Sequence, residues 1–236
     1  MSNTSQRSER SEILKGSPSS PTTVEVWDLP TRIFHWALVF FVIVSFISGK
    51  TGGNAMKYHE LSGFILLGLL VFRVFWGFIG SQTSRFSDFI SSPKAVMRYA
   101  GTLFRKDTPR HLGHNPMGGW SVMAMIMALL LQAVTGLFAT DDIFTQGPLY
   151  PYVSNAVSER LTAIHTVNPY IIAILVTLHI AAVLFYLLYK KENLVASMLT
   201  GRKTFMGMAK DATRSPLWLA AVVAAVSALV VYIMVR

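Results

Sequence analysis

The sequence predicts an all-α protein, a multi-pass bundle of transmembrane helices. Hydrophobic residues make up 52% of the 236 residues and charged residues only 14%, whereas about 25% is typical of soluble domains. Almost all of the charge lies in short stretches between five long apolar runs. Because this charge is too little to cover a water-facing surface, we expect lipid to surround much of the chain. The basic pI of about 9.9 therefore does not indicate nucleic acid.

The five apolar runs have the lengths of membrane-spanning helices. They cover about residues 33–48, 58–80, 119–139, 161–189 and 216–235. A helix needs roughly 20 residues to cross a hydrocarbon core of about 30 Å, and the first run reaches this length when it begins at Leu29. The fifth run contains no histidine and is interpreted as an anchor or a subunit contact.

The chain divides into three predicted segments. Residues 1–23 are rich in Ser, Thr and Pro, lack the apolar stretch of a signal peptide and are predicted to be a disordered cytoplasmic tail. Residues 24–203 form the predicted membrane domain, and residues 204–236 are a linker followed by the fifth helix. Between the second and third runs, Ser92 and Pro93 begin an amphipathic pattern that predicts a short helix, either at the membrane interface or in a solvated loop.

The distribution of Lys and Arg predicts the orientation in the membrane. With the N-terminus in the cytoplasm, sixteen basic residues lie on the cytoplasmic side and four on the outer side. Cytoplasmic loops of membrane proteins carry such an excess. Five helices then place the C-terminus in the periplasm.

Four of the six histidines lie within the predicted helices, where ionisable residues are costly and mark functional sites. His165 and His179 are fourteen residues apart on the fourth helix, so both leave one face at depths about 21 Å apart. His59 begins the second helix on the outer side and can meet His165. His35 begins the first helix on the inner side and can meet His179. A single histidine would ordinarily serve an interhelical hydrogen bond, but two pairs at matched depths favour a shared function.

Two pairs of neutral imidazoles, one in each leaflet, suit two non-covalent b-type haems with two histidine ligands for each iron. The chain contains no cysteine, which excludes iron–sulfur ligation and the covalent attachment of c-type haem. Gly63 lies one turn after His59 and would leave space for a porphyrin face, although small residues also serve close helix packing.

Two arginines and two further histidines accompany these sites. Arg73 lies at the depth of the inner pair, where a buried cation needs an anion or water; a haem propionate, a quinone oxygen or snorkelling to the interface would satisfy it. Arg32 is a second candidate for a propionate, or ordinary positive-inside charge. His111 and His114 precede the third helix with H-x-x-H spacing, and a loop-ordering or quinone-pocket role is favoured over metal binding.

Five motifs accompany these histidines: VWDLPTRIFHW at 26–36, KYHELSG at 57–63, FRVFWGFIGS at 72–81, GHNPMGGW at 113–120 and KENLVASMLTGRK at 191–203. Together they resemble bacterial di-haem cytochromes b, which comprise the cytochrome b561 type and the cytochrome b subunits of nickel–iron hydrogenases. The resemblance covers about residues 24–203. It implies a four-helix haem-binding core, two bis-histidine b haems and electron exchange with quinone. Residue by residue, it assigns the axial positions to His35, His59, His165 and His179.

The predicted function is that of an electron-transfer subunit of an oxidoreductase. Electrons would pass between a periplasmic redox protein, either a hydrogenase-like dehydrogenase or a c-type cytochrome, and the membrane quinone pool. Acidic residues beside the outer histidines could steer a basic partner, namely Glu60, Asp141, Asp142 and Glu159. One alternative is a stand-alone haem enzyme that oxidises a small reductant such as superoxide and reduces quinone. Another is a non-catalytic anchor with structural histidines, and a homo-oligomer is left open.

Overall fold

The computed structural model of the chain describes residues 21–105, 110–141, 145–206 and 210–236. Within them, five helices are long and apolar enough to cross a membrane, which confirms the predicted fold class. Residues 1–20 of the predicted tail lie outside the described residues.

The membrane-spanning helices are α1 (Leu29–Thr51), α2 (Met56–Ile79), α5 (Pro116–Gly136), α6 (Asn155–Leu188) and α8 (Leu217–Val235). Three shorter helices are α3 (Phe86–Phe89), α4 (Pro93–Ala100) and α7 (Leu194–Thr200). Single 3-10 turns occur at Gly53–Ala55, Gln82–Ser84 and Tyr150–Tyr152. Two strands, β1 (Pro21–Glu25) and β2 (Arg202–Met206), pair in an antiparallel sheet.

Side-chain caps set where the helices begin. The Asp28 carboxylate accepts a hydrogen bond from Thr31 N at 2.8 Å at the start of α1, and Asn115 accepts one from Gly118 N at 2.8 Å at the start of α5. Ser92 caps α4 with Pro93 in its first turn, as predicted. Such caps satisfy amide groups that have no partner within the helix.

The largest difference from the predicted bounds is at the start of α6. This helix begins at Asn155, six residues before the apolar run, and has 34 residues. At 1.5 Å per residue its length is about 51 Å, well beyond a hydrocarbon core of about 30 Å. Its polar first turns therefore project beyond the apolar segment.

The bundle contains two helical hairpins, α1–α2 and α5–α6, and α2 makes the contacts between them. Helix α1 packs along α2, α5 packs along α6, and α2 also contacts both α5 and α8. Phe34, Phe72 and Trp76 form a buried cluster with Ala220 and Val223 of α8. The fifth membrane helix, α8, is therefore packed against α2 as part of the bundle.

The sheet corrects two predicted boundaries. Residues 21–23 belong to β1 and not to a disordered tail, and residues 204–206 belong to β2 and not to a linker, because Pro21 pairs with Met206 and Glu25 with Arg202. Val24 is 2% exposed and packs with Phe205 of β2. Partners so far apart in the chain leave no local pattern in the sequence, since strand pairing depends on tertiary contact.

Two ends of the bundle can now be distinguished. The His59 end holds the ends of α1 and α5 and the beginnings of α2 and α6. The His35 end is the opposite one, and it carries α3, α4, α7 and the sheet.

Candidate functional site

The structure brings His59 of α2 and His165 of α6 together. Their ring centroids are 5.9 Å apart and their planes are at 88°. Both rings line a cavity of about 550 Å³, and Gly63 lies in the same wall. A cavity of this size is within the range of sites that bind small molecules and cofactors.

A backbone carbonyl oxygen lies within hydrogen-bond distance of the Nδ1 atom of each imidazole. His59 Nδ1 lies 2.8 Å from the carbonyl oxygen of Ser45, and His165 Nδ1 lies 3.0 Å from that of Gln132. A carbonyl oxygen only accepts, so each Nδ1 carries the proton and donates it, and each Nε2 keeps its lone pair. Metal-binding histidines are typically oriented in this way by the partner of their second nitrogen. The two Nε2 atoms are therefore prepared to act as metal ligands.

Two glycines make room for these rings. A Cβ atom at Gly49 would lie 2.7 Å from His59 Nδ1, and a Cβ atom at Gly136 would lie 2.8 Å from His165 Cε1. Each glycine follows by four residues the carbonyl that accepts from the ring, which belongs to Ser45 in one case and to Gln132 in the other. Neither glycine was predicted from the sequence, although a polar residue four positions before a glycine in an apolar helix was a visible signal.

A proline explains why the polar side chain of Gln132 lies beside His165. Pro169 lies inside α6 and has no N–H, so the carbonyl of His165, four residues earlier, loses its helical partner. Gln132 Nε2 donates to that carbonyl at 2.9 Å. Asn168 Nδ2 donates to Gln132 Oε1 at 2.9 Å. Unsatisfied backbone groups are expensive in a membrane, so this network holds in place the helical turn that presents His165.

The second pair is built differently. His35 of α1 and His179 of α6 lie close enough for their charges to interact. The Nδ1 atom of His35 is buried and has no hydrogen-bond partner among the described residues. No backbone carbonyl therefore selects the His35 tautomer there.

Arg73 lies near this second pair as a buried cation. Its side chain is 3% exposed, and its guanidinium lies 5.1 Å from the Phe86 ring and 5.7 Å from the Phe89 ring. Its Nη1 atom has no hydrogen-bond partner within the described parts of the chain. Aromatic faces stabilise a cation but leave its donor capacity unused. The group is therefore suited to a ligand with an anionic or carbonyl oxygen.

His114 connects this region to the segment before α5. Its ring packs 4.9 Å from Trp27 and 5.0 Å from Phe89. Burial lowers the pKa of His114 to about 3, and the nearby charges of Arg73, His179 and His35 act in the same direction. His114 is therefore neutral at ordinary pH.

Arg32 is partly engaged elsewhere. One terminal nitrogen donates to the carbonyl of Leu199 at the end of α7, while its Nε atom is buried without a partner among the described residues. Gly201 closes α7 with a φ of 81°, a backbone conformation that favours glycine. The hydrogen bond from Arg32 to Leu199 ties α7 to α1, and the Nε atom of Arg32 remains as an available donor.

The remaining predicted residues are spread over both ends. Glu60 and Asp141 line the cavity at the His59 end, Glu159 is exposed on the first turns of α6, and Asp142 lies outside the described residues. Within the part of the chain that the structure describes, no group of three or more His, Asp or Glu side chains could hold a metal ion. His111 and His114 therefore have no third ligand of this kind there.

These features define a polytopic membrane protein with a cavity lined by histidines of two different helices. The comparison with known families identifies the cofactor. Residues 26–201 match the family described as prokaryotic cytochrome b561, and the chain belongs to this family. It is a bacterial membrane protein of the b-type cytochrome class, which carries haem b and takes part in electron transfer. The family predicted from the five motifs is thereby confirmed.

Curated relatives carry a more particular description. The chain is 23% identical over 220 residues to the "Probable Ni/Fe-hydrogenase B-type cytochrome subunit" of Rhodobacter capsulatus, with 78% of this chain and 82% of the relative covered. A protein of the same description from Rhizobium leguminosarum bv. viciae is 23% identical over 218 residues, with 78% and 90% covered. One from Cupriavidus necator is 21% identical over 217 residues, with 76% and 86% covered. No solved structure matches the chain.

Proposed function

We propose that the chain holds two b-type haems and conducts electrons between a redox protein and membrane quinone. One haem would lie between His59 and His165 and the other between His35 and His179. The observation that carries the proposal is the arrangement of His59 and His165, whose Nδ1 atoms both donate to backbone carbonyls while both rings line one cavity.

Haem would be held by the imidazoles of these histidines and would supply a one-electron iron couple. The protein's own residues supply orientation and charge. Carbonyl oxygens orient the rings of His59 and His165, and the hydrogen bonds of Gln132 fix the turn of α6 that carries His165. At the His35 end, the unused Nε donor of Arg32 suits a propionate of a haem.

A redox partner would dock at the His59 end. Glu60 and Asp141 line the cavity there, and acidic side chains attract a basic partner over a range set by the salt concentration. The relatives are described as hydrogenase cytochrome subunits, which supports a hydrogenase-like dehydrogenase as the donor. A c-type cytochrome is the other partner of suitable chemistry. The excess of Lys and Arg at the His35 end would place the His59 end in the periplasm of a bacterium.

Quinone would react at the His35 end, beside Arg73. A buried guanidinium with an unused donor can stabilise negative charge that develops on a quinone oxygen. Asp28 is a carboxylate within electrostatic range of Arg73. His114, Phe86 and Phe89 supply neutral and aromatic neighbours there. Such groups suit an apolar ring that carries two carbonyl oxygens.

A haem count tests the proposal directly. The purified protein should contain two b haems per chain in a pyridine haemochrome assay, and its dithionite-reduced spectrum should be that of low-spin haem. A quinone analogue should then reoxidise the reduced protein. One haem per chain, or a high-spin spectrum, would contradict the two histidine pairs.

A further inference from the structure

A cluster of protonatable groups lies at the His35 end, outside the histidine pairs. The hydroxyls of Tyr99 on α4 and Tyr186 on α6 are 2.5 Å apart. Asn115 Nδ2 donates to the Tyr186 hydroxyl at 2.8 Å, while Asn115 Oδ1 caps α5. Because Asn115 supplies a donor to Tyr186, the tyrosine oxygen accepts there and its own proton is free to point to Tyr99.

A buried ion pair adjoins the two tyrosines. Lys203 Nζ lies 2.5 Å from Glu192 Oε1, and their side chains are 9% and 11% exposed. Lys203 also donates to the backbone carbonyl of His111 at 2.6 Å. The His111 ring packs against the Tyr99 ring with centroids 5.4 Å apart, and Glu192 is within electrostatic range of both His111 and Tyr186.

Packing α4 against the bundle does not require so many polar and ionisable side chains. A buried ion pair is weak evidence for stability, because desolvation of the two charges offsets much of their attraction. Apolar side chains on α4 would fasten it more simply. The groups present instead share the ability to take up and release a proton, and they come from α4, α6, β2 and the connecting segments before α5 and α7.

The cluster extends from the basic surface toward the proposed quinone site. Asn115, which donates to Tyr186, follows His114 directly, and His114 is within electrostatic range of Arg73 and Lys203. Burial, followed by the charge of Lys203, lowers the pKa of His111 from its usual value of 6.5. His111 is therefore neutral near pH 7, and a neutral imidazole can accept a proton on one nitrogen and donate from the other.

We propose that Glu192, Lys203, His111, Tyr99 and Tyr186 form a proton-transfer route between the aqueous phase at the His35 end and a quinone bound near Arg73. The route rests on the proposed function, because the reduction of one quinone to a quinol consumes two electrons and two protons. The electrons come from the redox partner, which is oxidised, and the protons come from water through the cluster. Quinol oxidation runs in reverse and releases both protons by the same route.

The test compares two oxidants of the full-length, haem-loaded protein in detergent. A short-chain ubiquinone analogue requires protons, whereas ferricyanide accepts an electron without one. In Tyr99→Phe/Tyr186→Phe, the stopped-flow rate of haem oxidation by the quinone analogue should fall about 10-fold or more, in line with the loss of a general acid. The ferricyanide rate and the haem content should stay at wild-type values.

Tyr189→Phe is the matched control. Tyr189 lies three residues after Tyr186, and its hydroxyl donates to the backbone carbonyl of Phe104, so this variant loses the same atom outside the route and should keep the wild-type quinone rate. Redox-difference infrared spectra give a readout that does not depend on turnover. Tyrosine bands should shift on reduction in the wild type and in Tyr189→Phe, and this shift should be lost in the double variant.

Three outcomes would overturn the route. Equal slowing with both oxidants would mean that the tyrosines only support the fold, and an unchanged quinone rate would mean that protons travel elsewhere. A wild type that reacts with ferricyanide but not with the quinone analogue would overturn the proposed quinone function and the route with it. If the double variant fails to fold, Glu192→Gln, which keeps the size of the side chain, should show the same selective loss with quinone.

Discussion

The His59 end and the His35 end each bring two histidines together, but they do so by different means. At the His59 end, carbonyls of Ser45 and Gln132 fix both rings. At the His35 end, the Nδ1 of His35 has no partner among the described residues, and Arg73 lies close by. A fixed acceptor selects one tautomer and one orientation, as electron transfer through a permanent ligand requires. A site with unused donors and nearby titratable groups suits a substrate that exchanges protons.

The largest expected effect is the loss of one haem when a histidine of either pair is replaced. His165→Ala should remove the haem proposed for the His59 end, because one of its two histidine ligands is lost, while the other haem should remain. The pyridine haemochrome assay should then count one haem per chain, against the two expected for the wild type. His179→Ala is the mirror control and should remove the other haem. An unchanged spectrum with two haems in His165→Ala would show that the pairing is wrong.

A smaller loss of haem is expected when a substitution only fills the space beside the His59 ring. Gly49→Ala places a Cβ atom 2.7 Å from His59 Nδ1, so the ring must leave the Ser45 carbonyl. Loss of such an orienting partner typically weakens metal-site binding about 10- to 100-fold, and haem occupancy at the His59 end should fall.

Gly68→Ala is the control for this substitution. Gly68 lies on α2, but its added Cβ would only reach ordinary contact with Val231, at 3.9 Å. Haem titration followed by absorbance compares the two variants. Equal haem affinity in Gly49→Ala and Gly68→Ala would mean that the Ser45 contact does not orient His59.

At the His35 end, loss of a buried charge should slow quinone chemistry without loss of haem. Arg73→Leu removes the unused donor, and reoxidation of reduced haem by a quinone analogue should slow by roughly 10- to 100-fold. Arg85→Leu is the control, because the Arg85 side chain forms an exposed ion pair with Asp88, and this variant should keep the wild-type rate. Stopped-flow absorbance measures both. Unaltered kinetics in Arg73→Leu would remove this residue from the quinone site.

The low pKa of His114 predicts a pH effect on stability at the same end. The folded ring has a pKa of about 3 and the unfolded ring one of 6.5, so between these values only the unfolded chain takes up the proton. The free energy of unfolding should therefore fall by about 1 kcal/mol between pH 6.5 and 5.5, and by about 1.4 kcal/mol for each further pH unit down to the folded pKa. Thermal unfolding of the wild type and His114→Gln at pH 6.5 and 5.5 measures this. The same pH dependence in both proteins would refute the assignment.

The smallest effect concerns partner docking at the His59 end. Glu60→Gln/Asp141→Asn should lower the association rate with a basic c-type cytochrome a few-fold at low ionic strength. The difference should vanish near 0.15 M salt, where the Debye length is about 8 Å. Asp88→Asn removes the same kind of charge at the other end and should leave the rate unchanged. A rate that responds neither to salt nor to these substitutions would leave electrostatic docking without support.

Much of this architecture could be predicted without the structure, for reasons that are local. The number and approximate bounds of the membrane helices follow from the length of apolar runs. The pairing of His59 with His165 followed from helical periodicity along α6 and from the order of the helices. Both rest on rules that act within one helix or between sequential helices, so the linear pattern carries them.

The sequence by itself therefore determined the five helices, the family motifs and the depths of the histidines. Only the tertiary structure decided what supports them. The His59 ring fits because Gly49 on the neighbouring helix has no side chain. The His165 carbonyl that Pro169 leaves without a partner accepts a hydrogen bond from Gln132, and β1 pairs with a strand about 180 residues away. Each of these contacts joins two segments that meet only after folding. A helical pattern specifies which face a residue occupies, but not which atom of a neighbouring helix lies opposite it.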